Sequence, residues 1–387
     1  MKRSSRLPSA TKARSPLLAA PGWQEPVRRR LETLIRRGAG RGLPVVFDFD
    51  HTLVCGDIGE AALAVLVRNG RLQPDGLSPI LSPAVIRPGR RKPVTPSSEV
   101  DLTAYYDAYL SPTGHGVADR APHANGYAWA VEIMEGLSTT EVLRATEEAF
   151  GFGAPGERRL IEVTPGKTAL PAPHFYPEMV ELVAVLIRHG FDVWIVSASN
   201  VWSVRWMVLR GLNPLLSQHG VRRGVRAERV VGVSTLLRDP RGRLWKDPLL
   251  VREDPRYARL EARVMTRLRL TSRLHFPVPA YSGKVAALWD ALGIRPYLAA
   301  GDSPGDHPML AFSENRLWIA RLEKPDYQEE TVRLMARTGR DTWMVQPTLT
   351  MERPGFLADP SSIPPFPIPR SSPIRKSLRW LRPRRGS

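Results

Sequence analysis

Residues 45–53 read Val45-Val46-Phe47-Asp48-Phe49-Asp50-His51-Thr52-Leu53, and this stretch decides the fold. Its apolar start, Val45 to Phe47, reads as a buried strand of a parallel sheet. Asp48 and Asp50 follow at the carboxyl end of that strand, where open α/β sheets place their ligands. Two acids so close together repel, and burial disfavours the ionised form of each. A divalent cation removes that cost and readies a carboxylate for work on an anionic substrate.

Three later segments supply what such a site lacks. Asp192-Val193-Trp194-Ile195-Val196 reads as a strand and ends in Ser197-Ala198-Ser199. Lys284 follows Gly283 at the start of an amphipathic segment. Tyr297-Leu298-Ala299-Ala300 runs into Gly301-Asp302-Ser303-Pro304-Gly305-Asp306. In this order the four motifs resemble those of the haloacid-dehalogenase-like (HAD) phosphohydrolases, over roughly residues 43–325.

The resemblance implies an α/β fold, a doubly wound parallel-sheet core carrying an inserted, mainly α-helical cap. It implies that Asp48 attacks phosphorus and forms an aspartyl-phosphate. Asp50 then protonates the leaving oxygen and later deprotonates the attacking water. Ser197, Lys284 and Thr52 are the implied phosphate-binding residues. Mg²⁺ is the implied cofactor, with Asp48, the backbone carbonyl of Asp50, Asp302 and Asp306 as its ligands. Dehalogenases of the superfamily lack the second aspartate, so Asp50 favours phosphoryl chemistry. Each residue also has a plainer reading. Thr52 is a turn residue, Lys284 a solvated helix residue, and Ser199 a structural one.

Two further acids, Asp57 and Glu60, follow the nucleophile closely. Similar positions in phosphoserine and phosphorylcholine phosphatases face a substrate ammonium group. The run Gly301 to Leu310 and the following Arg316-Leu317-Trp318-Ile319-Ala320-Arg321 also resemble the phosphorylcholine enzymes. The plainer reading has Asp57 as the N-cap of a helix starting near Gly59. Tyr105, Tyr106, Tyr109, Tyr127 and Trp129 cluster in sequence and suit either a core or a cation–π cage.

These residues outline a Mg²⁺-dependent phosphomonoesterase for a small ester of the phosphoserine, phosphocholine or phosphoethanolamine type. The alternatives are a phosphatase of sugar, nucleotide or lipid phosphates, and a non-catalytic binding protein of the same fold.

Of the net charge of +18, residues 1–42 hold +9 and residues 370–387 hold +7. The basic character therefore belongs to the two ends. Such ends suit weak contact with an anionic membrane surface or nucleic acid, or are simply solvated. No stretch approaches the roughly 18–20 apolar residues of a membrane helix. Cys55 is the only cysteine, so no intrachain disulfide forms, which fits a cytoplasmic location. It reads as a small buried hydrophobe.

The expected domains are a basic, largely disordered extension at 1–42, within which 23–38 reads as a short basic helix leading to the first strand, a core at 43–55 and 176–350, a helical cap at 56–175, and a Pro-rich basic tail at 351–387. Within the cap, 73–98 reads as a long loop, and 101–110, 127–136 and 139–150 as helices. Ser138 and Glu141 form a capping-box pattern for the last of these. In the core, 177–188 and 201–211 read as helices, and Val230–Leu237 with Arg243–Trp245 as one hairpin.

Overall fold

The computed structural model describes residues 16–78, 81–82, 85–86, 93–95, 97, 101–110, 126–247, 264, 266–351, 353–359 and 372–381. Seven strands form the central sheet: β1 (Pro44–Phe47), β2 (Asp192–Asn200), β3 (Val230–Val233), β4 (Leu298–Gly301), β5 (Asn315–Arg321), β6 (Trp343–Leu349) and β7 (Gly355–Phe356). Their order is β7-β6-β5-β4-β1-β2-β3. All neighbours are parallel except β7, which pairs antiparallel with β6.

Side-chain alternation explains why both faces are covered. Val45 and Phe47 face one core with Ile195, Leu298, Ala300, Leu317 and Ile319. Val46 faces the other with Trp194, Val196, Ala299, Trp318 and Ala320. Helices Glu25–Gly38 and Pro177–Arg188 bury Leu31, Ile35, Leu182 and Val183 in the first core. Helices Ser282–Leu292, His307–Phe312 and Pro325–Thr338 bury Leu288, Met309, Leu310 and Leu334 in the second. This is the doubly wound α/β architecture expected from the motifs. The chain leaves β1 for β2 and β3 on one side and returns to β4 on the other. The switch point therefore lies between β1 and β4, where such sheets open a crevice.

The insertion between β1 and β2 is mainly helical, with helices Ile58–Arg68, Leu102–Leu110, Gly126–Glu132 and Thr139–Gly151. The capping box at Ser138 and Glu141 is formed. A strand pair, Leu160–Thr164 with Thr168–Pro171, was not anticipated. Within 73–98 lie a short 3₁₀ turn at Pro74–Gly76 and a pairing of Val85–Ile86 with Pro93–Val94.

Several expectations need correction. The run Val230–Leu237 divides at Ser234. Val230–Val233 extends the main sheet, while Thr235–Arg238 pairs with Leu244–Trp245 and with Arg269–Leu274. The helix expected over 201–211 runs as Val201–Trp206 followed by a π segment, Met207–Leu212. The helix expected over 23–38 forms as Glu25–Gly38, while residues 16–22, read as part of a disordered end, are packed. Leu18 is fully buried, and the backbone N–H groups of Leu17 and Ala19 donate to Glu32 and Glu181. Gln346 of β6 accepts from Gln24 N and donates to Gly22 O. Beyond residue 351, Gly355–Phe356 joins the sheet, and helix Pro373–Leu381 buries Ser377, whose hydroxyl donates to Leu322 O. Residues 1–15, 360–371 and 382–387 lie outside the described set. Among the described residues no helix is long and apolar enough to cross a membrane.

Candidate active site

A cleft opens over the carboxyl ends of β1, β2, β4 and β5. Asp48, Asp50, Asp57, Asp302, Lys284 and Arg321 supply its charged walls, and His51, Tyr127, Ser199, Tyr281 and Ser303 also line it.

Asp48 leaves β1 directly, with its N–H donating to Ala300 O at 2.9 Å. Lys284 Nζ donates to Asp48 Oδ1 at 2.5 Å and to Asp306 Oδ1 at 2.6 Å. Thr52 Oγ1 lies 2.9 Å from Asp48 Oδ2 and 3.3 Å from Asp302 Oδ1. Lys284 is held near the start of its helix by a close turn. A Cβ on Gly283 would stand 1.8 Å from Val278 O, so no side chain fits there.

The loop after β4 is organised by Asp306. Its Oδ2 accepts from the N–H groups of Asp302 and Ser303 at 3.1 Å each, and from Ser303 Oγ at 3.2 Å. Asp48, Asp302 and Asp306 are all buried, and each offers an oxygen within 4.8 Å of the others. Three clustered hard oxygen donors match what Mg²⁺ prefers, so the donor set fits that ion. Asp50 is not in this carboxylate cluster. Its side chain turns the other way.

Asp50 Oδ1 accepts from Ile58 N at 2.8 Å, and Oδ2 accepts from Ser197 Oγ at 2.9 Å and Ser199 Oγ at 2.8 Å. Burial, and then the nearby Asp57, push its pKa up to about 8, against the pull of those hydrogen bonds. Burial and Asp306 raise Asp48 to about 7, while Lys284 opposes them. Asp302 is raised as well, chiefly by burial. Burial lowers and the two carboxylates raise the Lys284 pKa, and the carboxylates win. Lys284 is therefore an ammonium throughout the neutral range.

Ser197 is fully buried and does not line the cleft; it fixes Asp50 and accepts from Ser199 N at 2.9 Å. Ser199, read as structural, both holds Asp50 and faces the cleft. Asp57 caps helix Ile58–Arg68 by accepting from Glu60 N at 2.9 Å, and it also lines the cleft. Burial, with Glu60 next, raises Asp57 to about 7. Glu60 stands outside the described lining.

Of the cap aromatics, Tyr127 alone among those described lines the cleft. Tyr105 and Tyr106 pack on Trp129 at 5.1 and 5.9 Å between ring centroids, as core. The side chain of Tyr109 lies outside the described residues. Cys55 is buried, and burial raises its thiol to about 11, far from a reactive thiolate.

The sequence reading missed Arg321, Tyr281 and Ser303. Arg321 ends β5, a strand whose resemblance was noted without a role for its last residue. Its Nη2 stands 2.7 Å from Asp302 Oδ2 as an ion pair without hydrogen-bond alignment.

No family model matches the chain, and the search of curated proteins returns no match. Among solved structures, the chain is similar to a conserved protein of unknown function from Anaerococcus prevotii, with a TM-score of 0.59 and 18% identity over 89% of this chain and 98% of that one. It is more loosely similar to a HAD-family hydrolase from Salmonella enterica serovar Typhi, with a TM-score of 0.38 and 12% identity over 78% of this chain and 73% of that one. A substrate-bound phosphoserine phosphatase gives a TM-score of 0.36 and 12% identity over 74% of this chain and 90% of that one. The first likeness shows the fold. The other two are too loose to carry an argument.

Proposed function

We propose that this protein is a HAD-like phosphohydrolase, a Mg²⁺-dependent phosphomonoesterase that works through an aspartyl-phosphate. The observation that carries the reading is the cluster at the switch point, where Lys284 binds Asp48 and Asp306 beside Asp302. Asp48, Asp302 and Asp306 would hold the ion, which supplies positive charge against a dianionic ester.

The chain's own residues do the rest. An Asp48 oxygen bonds to phosphorus as the ester P–O bond breaks. Asp50, protonated near neutral pH because it is buried, gives its proton to the leaving oxygen, so that an alcohol departs. The resulting Asp50 carboxylate takes a proton from water as the water oxygen attacks phosphorus. The bond to Asp48 breaks and inorganic phosphate leaves. Lys284 favours the ionised form of Asp48 for the first step. Ser197 acts through Asp50, and Ser199 is the better placed of the two serines to meet the phosphoryl group.

For the substrate, Asp57 supports a small amine-bearing ester, since it is an acid on the cleft wall. Glu60 would act through Asp57, from outside the described lining. The test is phosphate release over a panel of small phosphate esters, with and without chelator. The reading predicts release that chelation stops and added Mg²⁺ restores. Undiminished release in excess chelator would refute the metal dependence.

A further inference from the structure

The cleft wall carries four acids and two strong bases, Lys284 and Arg321. Lys284 is committed, with Asp48 and Asp306 both at hydrogen-bond distance. Arg321 is only partly engaged. It is 8% exposed, and its Nε is buried with no hydrogen-bond partner among the described residues. A guanidinium offers five N–H donors, and a buried donor left unpaired is costly. The group is braced from one side by the Tyr327 ring, with 5.4 Å to the centroid. Its one ion-pair partner among the described residues is Asp302, an acid that the proposed function assigns to a cation. The more of that carboxylate's charge serves the cation, the less Arg321 retains. Beside it, His51 Nδ1 is also buried and without a partner among the described residues. His51 is held at φ 57°, a conformation rare for a residue with a side chain, and it too lines the cleft.

We infer that Arg321, with His51 on the same cleft wall, is a subsite for a second anionic group, a carboxylate or a further phosphate, on the leaving part of the substrate. The inference deepens the proposed function and rests on it. A planar fork of donors matches either anion, and an otherwise acidic wall would repel both. Asp57 on the same wall leaves room for an ammonium on the same leaving group.

The test is calorimetric binding to the full chain in saturating Mg²⁺. Three non-hydrolysable ligands share one phosphonate: propylphosphonate, phosphonopropionate, which adds a carboxylate, and propylene bisphosphonate, which adds a second phosphonate. The wild type is expected to bind one of the two doubly anionic ligands roughly ten- to a hundredfold more tightly than propylphosphonate, the size of a charge-assisted contact. Whichever wins names the source of the anion. Arg321→Gln should erase that ratio, and Arg321→Lys should keep part of it. If Arg321→Gln does not fold, a clear fall in the ratio for Arg321→Lys carries the same conclusion, and an unchanged ratio overturns it. Absence of any preference in the wild type overturns the inference. So does an equal loss for all three ligands in Arg321→Gln, which would make Arg321 a clamp on the transferring phosphoryl group or a support for Asp302. Hydrolysis is read separately. If no ester is turned over while the binding ratio persists, the anion subsite stands and the phosphatase reading falls.

Discussion

Lys284 Nζ lies 2.5 Å from Asp48 Oδ1, a buried ion pair closed across 236 residues of chain. A lone carboxylate at that depth would take up a proton and lose its nucleophilicity. The ammonium opposes this.

Removing that ammonium should therefore cost both stability and chemistry. Breaking a buried ion pair from one side typically costs about 3–5 kcal/mol. Lys284→Met should lower the unfolding free energy by an amount of that order in chelator, measured by urea titration. Saturating Mg²⁺ should recover part of the loss, because the ion supplies the missing positive charge. An unchanged midpoint in chelator would show that the pair does not hold the site together.

The pH profile follows from Asp50. Its pKa is raised to about 8, so it carries the required proton below that pH and loses it above. Hydrolysis of alkyl phosphates should fall as pH rises through about 8. Asp50→Asn stays neutral but has no proton to give. It should slow alkyl esters by roughly 10²–10⁴-fold, the usual worth of a general acid. An activated phenol leaves without that proton, so p-nitrophenyl phosphate should lose much less in the first step. Equal losses on the two ester types would remove Asp50 from the role of acid.

Much of this was legible from the chain alone, for a physical reason. Val45 to Phe47 and Leu298 to Ala300 are uninterrupted apolar runs, as strands buried on both faces are. The acids behind them had to be explained, and their explanation was the site. Asp57 was legible too, as the N-cap of its helix, and it also lines the cleft. What escaped was set by the third dimension. Arg321 follows Trp318, Ile319 and Ala320 in one more buried strand, and no spacing tells that its end meets Asp302. Ser197 and Ser199 both lie near the end of strand β2, and only the position of Asp50 shows which one faces the cleft. The packing of residues 16–42 was hidden by composition. Their arginines dominate the charge, while Leu18, Leu31 and Ile35 do the anchoring.

Substrate choice is tested through Asp57 and Glu60. If Asp57 faces an ammonium, Asp57→Asn should raise KM for phosphocholine, phosphoethanolamine or phosphoserine by about ten- to a hundredfold, the worth of one charge-assisted contact. Glu60→Gln should act weakly and in the opposite direction, since Glu60 raises the Asp57 pKa and its neutralisation leaves Asp57 more fully ionised. Esters without a cation should change much less. Parallel losses on all substrates would assign Asp57 to capping its helix and nothing more.

The central claim is that Asp48 is the nucleophile. The most direct measurement is an acid quench of the enzyme during turnover in Mg²⁺, followed by mass spectrometry of the peptide spanning residues 45–53. The account predicts one phosphoryl group on Asp48 in the wild type, none in Asp48→Asn, and no phosphate release by that variant although it remains folded. Sustained turnover by Asp48→Asn, or a phosphoryl group on any other residue, would contradict it.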